Sequence, residues 1–412
     1  MSKIDELIKE KCPNGVEYKN IKDVCITNFW VMPSTPKYQL EGIPYITSKN
    51  IRKGKILFDN IKYITEDDYK IISTNRPILE NDFLISMIGT IGEVGIVTKD
   101  NLPFYGQNMY LLRLNQKIIN IKFFYHYFTS SKIKIKLFKE KNNSNQGYLK
   151  TKNIETIKIP VPPMEVQEEI VRILDKFSEL ESELESELEA RKKQYDFWQE
   201  KLFDTKEEYQ EYTIEEVLKS LKTGLNPRKY FQLNTEDAKG YYVTVREIGD
   251  RKVRYLESKD RVNQYGLQRI NERSNLEIND VLFSGTGTIG QVSIIEEKPD
   301  NWNVKEGVYI LKPKSEIINP VYLMYLMKSK YMKKLYSNFI VGSPVSSVPM
   351  KDLKKINFKL PPLNEQERIV NILDRFDKIV NDISEGLPAE IELRIKQYEY
   401  YRNKLLSFEE VQ

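Results

Sequence analysis

The stretch IPVPPMEVQEEIVRILDKF at residues 159–177 decides the fold, because the chain contains the same pattern twice. It recurs at residues 358–376 as FKLPPLNEQERIVNILDRF. In both copies two prolines separate an apolar segment from a charged one that favours a helix, and a proline in the first helical turn sacrifices no hydrogen bond. The sequence therefore predicts, in two places, a globular segment followed by a long helix.

Segments on both sides of this stretch recur in the same order. Upstream, NDFLISMIGTIGEVGIV (81–97) aligns without a gap with NDVLFSGTGTIGQVSII (279–295). Downstream, RKKQYDFWQEKL (191–202) matches RIKQYEYYRNKL (394–405). A period of about 200 residues is far longer than the repeats of solenoid proteins. We conclude that one domain-sized unit has been duplicated.

The second copy of the glycine-rich segment contains a G-x-G-x-x-G pattern at Gly285, Gly287 and Gly290. In dinucleotide-binding proteins this pattern opens a helix. Here an apolar, β-branched run follows in both copies, and Met87 replaces the first glycine in the earlier copy. We therefore predict a tight turn between two strands, in which glycine supplies a positive φ angle, and not a nucleotide-binding loop.

The segment after each proline pair has apolar residues at alternating steps of three and four, which is typical of a coiled coil. In the first copy this spacing predicts a helix of about 40 residues and about 60 Å. It includes SELESELESELE (178–189), which we interpret as a solvated face beside a leucine stripe. Gly386 and Pro388 interrupt the second copy, where we expect a kink or break. Each helix needs a partner for its stripe, and the pattern leaves their relative direction open.

Few residues are suited to catalysis or metal binding. The chain has two cysteines, Cys12 and Cys25, and one histidine, His126, too few for a zinc site or a disulfide framework. The counterpart of His126 is Tyr325 on a similar apolar helical pattern, so we interpret His126 as a packing residue. We find no signal peptide and no apolar run long enough for a membrane span. The sequence thus predicts a cytosolic protein that binds no membrane.

The net charge of +4 permits a nucleic-acid partner, and the basic residues are clustered. Residues 47–55 contain four cations and no acid, and lysines recur along the predicted helical stretches 120–138 and 319–337. Such clusters neutralise phosphates. The loops 142–148 and 342–347 are rich in amide and hydroxyl groups, which read base edges. Basic clusters in both copies favour DNA binding.

The candidate DNA contacts follow from these segments and from a looser match of YITSKNI (45–51) to YVTVREI (242–248). In the first copy they are Lys49, Asn50, Arg52, Lys53, Gln107, Asn108, Asn145 and Gln146. In the second copy they are Thr244, Arg246, Ser343, Ser346 and Ser347.

A globular domain, a proline pair, a Glu-Gln helix and a coiled coil, all present twice, resemble the specificity subunit of type I restriction–modification systems. CPNGVEYKNIKDV (12–24) is similar to the opening of that family, although LPAEI (387–391) occurs only in the second copy. The resemblance implies an α+β fold, in which two α/β target recognition domains in tandem are separated and joined by two long helices that pair as an antiparallel coiled coil. The implied segments are a first domain with its N-terminal segment, a first helix, a second domain and a second helical region, at residues 1–163, 164–210, 211–362 and 363–412.

The resemblance also implies a function. Each domain would read one half of a split, asymmetric site in double-stranded DNA, and the helices would set the spacing. Two adenine-methyltransferase subunits and two translocase–nuclease subunits would bind this frame. S-adenosylmethionine, ATP and Mg would belong to those partners, so this chain would have no cofactor, no metal and no catalytic residue. Two alternatives remain open at this point: a coiled-coil scaffold, and a fused adenine methyltransferase whose VPPM and LPPL segments lack the expected polar and aromatic neighbours.

Overall fold

The computed structural model describes residues 3–34, 36–89, 91–139, 148–204, 208–227, 230–342, 344–382 and 385–411. The chain divides into two compact units. Unit 1 comprises residues 1–185 and 390–412, and unit 2 comprises residues 186–389. Unit 1 is therefore discontinuous in sequence, because its last part comes from the end of the chain.

Unit 1 alternates short strands with short helices before one long helix begins. Its helices are α1 (Lys3–Lys11), α2 (Glu66–Ser73), α3 (Ile121–Phe128), α4 (Ser131–Lys139), α5 (Thr151–Glu155) and the first part of α6 (Met164–Phe203). Its strands are β1 (Tyr18–Asn20), β2 (Cys25–Val31), β3 (Ile43–Thr47), β4 (Ile51–Arg52), β5 (Lys55–Ile56), β6 (Lys62–Ile64), β7 (Phe83–Ser86), β8 (Val94–Ile96), β9 (Tyr105–Gln107), β10 (Met109–Leu114) and β11 (Lys158–Pro160).

Unit 2 repeats most of this order, although no strands among its described residues correspond to β4 and β5. Its helices are the rest of α6, then α7 (Ile214–Val217), α8 (Gln264–Arg273), α9 (Pro320–Lys328), α10 (Lys330–Ser337), α11 (Met350–Leu353) and α12 (Leu363–Asn381). Its strands are β12 (Gln210–Thr213), β13 (Leu218–Thr223), β14 (Gly240–Val243), β15 (Arg261–Val262), β16 (Val281–Ser284), β17 (Val292–Ile294), β18 (Trp302–Val304), β19 (Val308–Pro313) and β20 (Asn357–Leu360). The last helix, α13 (Leu387–Leu405), lies almost entirely in unit 1.

The two units share one sheet topology. In unit 1 a four-stranded antiparallel sheet has the order β2-β10-β7-β8, and a second sheet has the order β6-β3-β9. Unit 2 repeats these as β13-β19-β16-β17 and β15-β14-β18. The pairs β3–β9 and β14–β18 are both parallel. The predicted duplication and the α+β class are confirmed at the level of strand order.

One inner strand of each four-stranded sheet, β7 or β16, is buried on both faces. In β7, Phe83 and Ile85 pack in the cluster formed with α3 and α6, whereas Leu84 packs in the cluster of the second sheet. In β16, Phe283 and Leu282 divide between two clusters in the same way. Because side chains alternate between the two faces of a strand, β7 and β16 each contact the helical layer on one face and the cluster of the second sheet on the other.

The glycine-rich segments form tight turns, as predicted. Strands β7 and β8 pair antiparallel, and so do β16 and β17. The φ angles are 79° at Gly89, 81° at Gly92, 76° at Gly287 and 93° at Gly290. The strand that follows leaves no helix N-terminus for a phosphate, so the interpretation as a hairpin turn is confirmed.

The helical stretches predicted at 120–138 and 319–337 are each two helices. Residues Thr129 and Ser130 separate α3 from α4, and Ser329 separates α9 from α10. Ser329 has extended backbone angles, and its hydroxyl accepts a hydrogen bond from the N–H of Met332. An N-cap of this kind begins a new helix, which the apolar pattern alone did not indicate.

The long helix is 40 residues long, as predicted. In unit 1 the ring of Phe177 on α6 stacks on Tyr401 of α13 at 5.3 Å, and the next residue, Ser178, bonds Tyr398. In unit 2, Tyr195 of α6 contacts Phe376 of α12, with ring centroids 6.2 Å apart. A later residue of α6 thus contacts an earlier residue of the second helical region, so α6 runs antiparallel to that region, as the resemblance implied.

The second helical region is broken at the predicted place. Helix α12 ends at Asn381 and α13 begins at Leu387. The N–H of Gly386 bonds the carbonyl of Asp382 at 3.0 Å, and a Cβ on Gly386 would lie 2.5 Å from the carbonyl oxygen of Lys378. Glycine is required by this close approach of the backbone.

The end of the chain completes unit 1. The N–H of Val16 bonds the carbonyl of Glu409 at 2.8 Å, and the N–H of Val411 returns a bond to Val16 at 3.1 Å. The hydroxyl of Tyr18 donates to the carbonyl of Phe408. Leu405 and Leu406 are buried in the same cluster as Ile4. Residues separated by almost the whole chain thus share one core.

One buried glutamine joins each globular part to its long helix. The Gln167 amide oxygen accepts from the N–H of Asn120 at 2.8 Å, and the amide nitrogen donates to the carbonyls of Ile118 and Pro162. Gln366 makes the same three bonds, to Asn319, Ile317 and Pro361. Both side chains are fully buried. Because Asn120 and Asn319 are also the N-caps of α3 and α9, each glutamine fixes the start of one helix against the start of another.

We expect Gln167→Leu to lower the free energy of unfolding of unit 1 by about 3 kcal/mol or more, since three backbone groups lose their partner and each costs about 1–3 kcal/mol. Gln366→Leu should act in the same way on unit 2. Hydrogen exchange of β7 and β16 during urea titration reports the two units separately. Exposed Gln194→Leu on α6 is the matched control. A loss below about 0.5 kcal/mol, the usual range for surface substitutions, would contradict this role.

Candidate nucleic-acid interface

The basic segment of unit 1 is a turn followed by a short hairpin. Residues Ser48–Asn50 form a 3₁₀ turn, and β4 and β5 pair antiparallel around Lys53 and Gly54. The φ angles of Lys53 and Gly54 are 47° and 79°. A Cβ on Gly54 would lie 2.9 Å from the ring of Tyr125. Glycine thus lets the hairpin lie against α3, while Lys49, Arg52, Lys53 and Lys55 remain exposed.

Two of the predicted DNA contacts are used to close turns. The side-chain oxygen of Asn50 accepts from the N–H of Thr47, and its amide donates to the carbonyl of Asp59 at 3.1 Å. In unit 2, Glu247 accepts from both the N–H and the hydroxyl of Thr244, at 2.7 and 2.8 Å. Asn50 is 9% exposed. In this conformation the polar groups of Asn50 and Thr244 are engaged within the protein and do not face a ligand.

The equivalent turns of the two units each carry one exposed cation. Lys49 lies between Thr47 and Asn50, and Arg246 lies at the corresponding position between Thr244 and Glu247. Both side chains are exposed, and neither has an ion-pair partner among the described residues. Lys49 and Arg246 are therefore equivalent cations at the surface of two different units.

Lys53 differs from its neighbours because it already has a partner. Its ammonium group lies 3.0 Å from the Glu185 carboxylate on α6, and both side chains are largely exposed. Exposed pairs of this kind contribute about 0–1 kcal/mol, so a phosphate can replace the carboxylate. Lys53 also lines an open groove of about 650 Å³, whose other described lining residues are Arg52, Lys55, Leu57, Ile91 and Glu93.

Gln107 and Asn108 lie beside the glycine turn at the end of β9. Gln107 is half-buried, and its side-chain oxygen accepts weakly from the Tyr45 hydroxyl at 3.4 Å. Asn108 has a φ of 63°, and its counterpart Gly307 has a φ of 96°. Asparagine tolerates this left-handed conformation, so the backbone explains the residue type at position 108.

The polar loops of both copies end against the glycine turn. In unit 2 the carbonyl of Ser346 accepts from the N–H of Gly287 at 2.9 Å, and Ser347 bridges to Thr286 and Val341. In unit 1, Tyr148 bridges to Ile88. Asn145, Gln146 and Ser343 lie outside the described residues. The structure thus brings together Ser346, Ser347 and the turn around Gly287.

The glycine turn is the part of this surface that the sequence interpretation missed. Ile91 of the turn lines the same groove as Arg52 and Lys53, so in unit 1 the turn lies beside the basic hairpin. In unit 2, Gly249 donates to Ser293 and Lys252 bridges to Ile294, both on β17. The recurrence of Gly-Thr-Ile-Gly without a gap could have indicated that the turn belongs to this surface. In the sequence alone, the segment indicates only a turn of the backbone.

His126 is a packing residue, as predicted. Its ring nitrogens lie 2.9 Å from the Tyr398 hydroxyl and 2.9 Å from the Asp175 carboxylate, and the residue is 1% exposed. Although burial opposes it, hydrogen bonds from His126 and Lys122 lower the pKa of Asp175 below its ordinary value. The carboxylate therefore stays charged and holds the ring in place.

The Cys25 thiol is not activated as a nucleophile. Burial, with the nearby carboxylates of Glu155 and Asp23, raises the pKa of the Cys25 thiol to about 12, so the thiolate needed for nucleophilic attack is scarce. Within the described ranges, no group of three or more His, Cys, Asp or Glu side chains is placed to hold a metal ion. None of the helices in the described part of the chain combines the length and apolar character required to span a membrane.

The chain is similar to specificity subunits of type I restriction systems. A type I restriction enzyme specificity subunit of Haemophilus influenzae is 29% identical over 410 residues, which cover 95% of this chain and 96% of that one. The EcoR124I/EcoR124II specificity subunit of Escherichia coli is 31% identical over 272 residues, or 62% of this chain and 64% of that one. The type I S subunit of M. genitalium has the same fold, with a TM-score of 0.55 at 17% identity over 96% of this chain and 98% of that one.

Almost the whole chain also matches one family model. Residues 13–191 and residues 206–393 each match the type I restriction modification DNA specificity domain. The two matches correspond to the two copies found in the sequence. A coiled-coil scaffold or a fused methyltransferase does not account for two such domains. The chain therefore belongs to the family of type I restriction–modification specificity subunits, which recognise DNA sequences.

Proposed function

We propose that each unit reads one half of a bipartite, asymmetric site in double-stranded DNA, and that the chain does so in the cytoplasm as part of a type I complex. The observation that carries this proposal is the recurrence of one surface on two units with different side chains. In each unit a turn with an exposed cation lies beside a glycine hairpin, and in unit 2 the polar loop at Ser346 and Ser347 lies against that hairpin. The position of Asn50 is occupied by Glu247, and that of Gly54 by Arg251. Two units that share a backbone arrangement but differ in side chains are suited to recognise two different half-sites.

Phosphates and bases are contacted by different residues in this proposal. Lys49, Arg52, Lys53 and Arg246 neutralise phosphates and so position the units. Side-chain amides and hydroxyls read base edges, and the proposed readers are Gln107, Asn108, Asn145, Gln146, Ser343, Ser346 and Ser347. Asn50 and Thr244 shape the turns that carry the cations and are not proposed as base contacts.

The helices set the spacing and bind the catalytic partners. Two adenine-methyltransferase subunits and two translocase–nuclease subunits complete the complex. The chain itself is non-catalytic, and S-adenosylmethionine, ATP and Mg belong to the partner subunits. Support comes from the membership of the family, from the raised pKa of the Cys25 thiol and from the buried position of His126 between Tyr398 and Asp175.

The test of the two-reader proposal is a domain exchange. Replacing residues 25–158 with the corresponding segment of a relative should change one half of the methylated site and leave the other half unchanged, because the two cores are separate. Mapping methylated adenines genome-wide gives both halves in one experiment. Exchanging the matching part of unit 2 is the reciprocal control. A simultaneous change in both halves would disprove independent reading.

A salt titration tests the cations of unit 1. We expect Lys49→Ala, Arg52→Ala and Lys53→Ala together to reduce the slope of log K against log salt by about 2.7, since each phosphate contact contributes about 0.9. Lys53→Ala alone should reduce the slope by about 0.9, because a phosphate replaces Glu185 as the partner of Lys53. Exposed Lys117→Ala is the control. An unchanged slope in the triple variant would place this hairpin outside the interface.

The repeats in α6 test the spacing. Inserting a fourth SELE after Glu189 adds about 6 Å and a net rotation of about 40°, and one base pair of B-DNA adds about 3.4 Å and about 34–36°. The inserted glutamate keeps the carboxylate four residues before Lys193, where Glu189 now pairs at 2.6 Å. We expect the unread spacer to lengthen by one base pair, and to shorten by one when a repeat is deleted. The length-preserving variant Glu179→Gln with Glu183→Gln should keep the spacer, and an unchanged spacer after insertion would show that α6 does not set it.

A further inference from the structure

Unit 2 exposes a group of apolar side chains just after α10. The group comprises Phe339, Ile340, Val341 and Val345, which are between 37% and 58% exposed. Single exposed apolar residues are ordinary on a protein surface, whereas several close together mark a binding surface. These four lie within seven residues of sequence, and the phosphate and base contacts proposed above give them no role.

Val341 belongs to a small hairpin of fixed shape. The N–H of Val341 donates to the carbonyl of Ser347 at 2.8 Å, and the N–H of Ser347 donates to the carbonyl of Val341 at 2.8 Å. Gly342 has a φ of 100°, and a Cβ there would lie 2.5 Å from the carbonyl oxygen of Val345. Glycine is therefore required at this turn. We call the described residues of 341–347 the valine hairpin.

The valine hairpin presents an apolar group and a hydroxyl group on one face. Val341 and Ser347 lie directly opposite each other in an antiparallel pair, where Cβ atoms on the same face are about 5 Å apart. Ser347 also lies opposite Thr286, and the carbonyl of Ser346 accepts from the N–H of Gly287 at 2.9 Å. The hairpin is thus continuous with the glycine turn in the candidate interface of unit 2.

The charges around the hairpin indicate which part of DNA it faces. Residues 335–350, LYSNFIVGSPVSSVPM, contain no charged side chain, and the exposed Lys334 and Lys351 flank them. The corresponding residues of unit 1, 136–151, contain five charged side chains. Phosphate contacts and insertion into the minor groove both use lysine or arginine. The uncharged run is therefore suited to base edges in the major groove, which admits a two-stranded ribbon.

Thymine is the base whose major-groove edge matches the Val341 and Ser347 side chains. It presents a methyl group at C5 beside the O4 acceptor, and no other base has a methyl group there. Valine covers a methyl group with apolar surface, and a serine hydroxyl donates to an acceptor. Cytosine would place its amino donor in this position, and a donor buried without a partner costs free energy.

We propose that unit 2 reads a thymine with the valine hairpin, in which Val341 contacts the 5-methyl group and Ser347 donates to O4. This assignment rests on the proposed function and adds Val341 to the residues that determine its specificity. The half-site of unit 2 then contains an A·T pair at a specified position, and part of its recognition depends on a methyl group.

The test replaces thymine by uracil, which removes only the 5-methyl group, in duplexes that carry the methylated site of the assembled complex. At one position of the unit 2 half-site, we expect uracil to weaken binding by the wild type about fourfold, as for one buried methyl group. The affinities are compared by fluorescence anisotropy at constant salt. Val341→Ala should bind the thymine and uracil duplexes equally, whereas Val341→Ile should retain the fourfold difference. Ile278→Ala, at a residue 49% exposed before the other end of β16, is the matched control and should also retain it.

The other outcomes separate this proposal from the proposed function. A unit 2 half-site without an A·T pair, or one in which uracil has no effect at any thymine, would overturn the thymine reading while two-part recognition stands. A fourfold uracil effect in Val341→Ala, with wild-type thermal unfolding, would show that another residue contacts the methyl group. If the complex bound its methylated site no better than an unrelated duplex, the proposed function itself would fail.

Discussion

The buried amide of one glutamine in each unit, Gln167 or Gln366, is the constraint on which the arrangement depends. The start of a long helix and the start of an internal helix both expose backbone groups that need partners. A single side chain supplies a donor and an acceptor at the point where these two starts meet. The globular part of each unit is therefore attached to its helix by oriented hydrogen bonds as well as by apolar contact, and an attachment of this kind can transmit a fixed geometry from the helix to the surface.

Duplication preserved this attachment but allowed other buried polar contacts to diverge. His126 and Asp175 in unit 1 correspond to Tyr325 and Asp374 in unit 2, where the tyrosine hydroxyl donates to the carboxylate at 2.7 Å. Arg251 also bonds Asp374. In each unit a carboxylate on α6 or α12 interacts with a side chain of the internal helix α3 or α9. The position is the same, while the donor has changed from imidazole to phenol.

Much of the fold could be predicted because its signals are local. The recurrence of sequence, the glycine turn, the 40-residue helix and the break at Gly386 each follow from spacing or from one special residue. The two-helix form of the 120–138 stretch was missed, because an apolar run does not show where a cap interrupts it. The parallel pairing of β3 with β9 joins strands that are far apart in sequence, and no local pattern specifies it.

The candidate site was less predictable than the fold, because a polar side chain has several possible uses. Asn50 and Thr244 have the residue types of base readers, yet both close turns. The Thr-x-x-Glu spacing from Thr244 to Glu247 is a capping pattern and could have indicated this use. The pairing of Lys53 with Glu185 could not have been foreseen, because it depends on how the hairpin lies against α6.

The closure of unit 1 by the end of the chain reverses the usual order of folding during synthesis. Domains generally fold as units, the N-terminal one first, while the rest of the chain is being made. Here unit 2 has all its residues once position 389 has left the ribosome, whereas unit 1 still lacks the segment that pairs with Val16 and buries Leu405. The part of the protein that is translated first therefore reaches its native core last, and the apolar surface that α13 will cover stays open throughout the synthesis of unit 2.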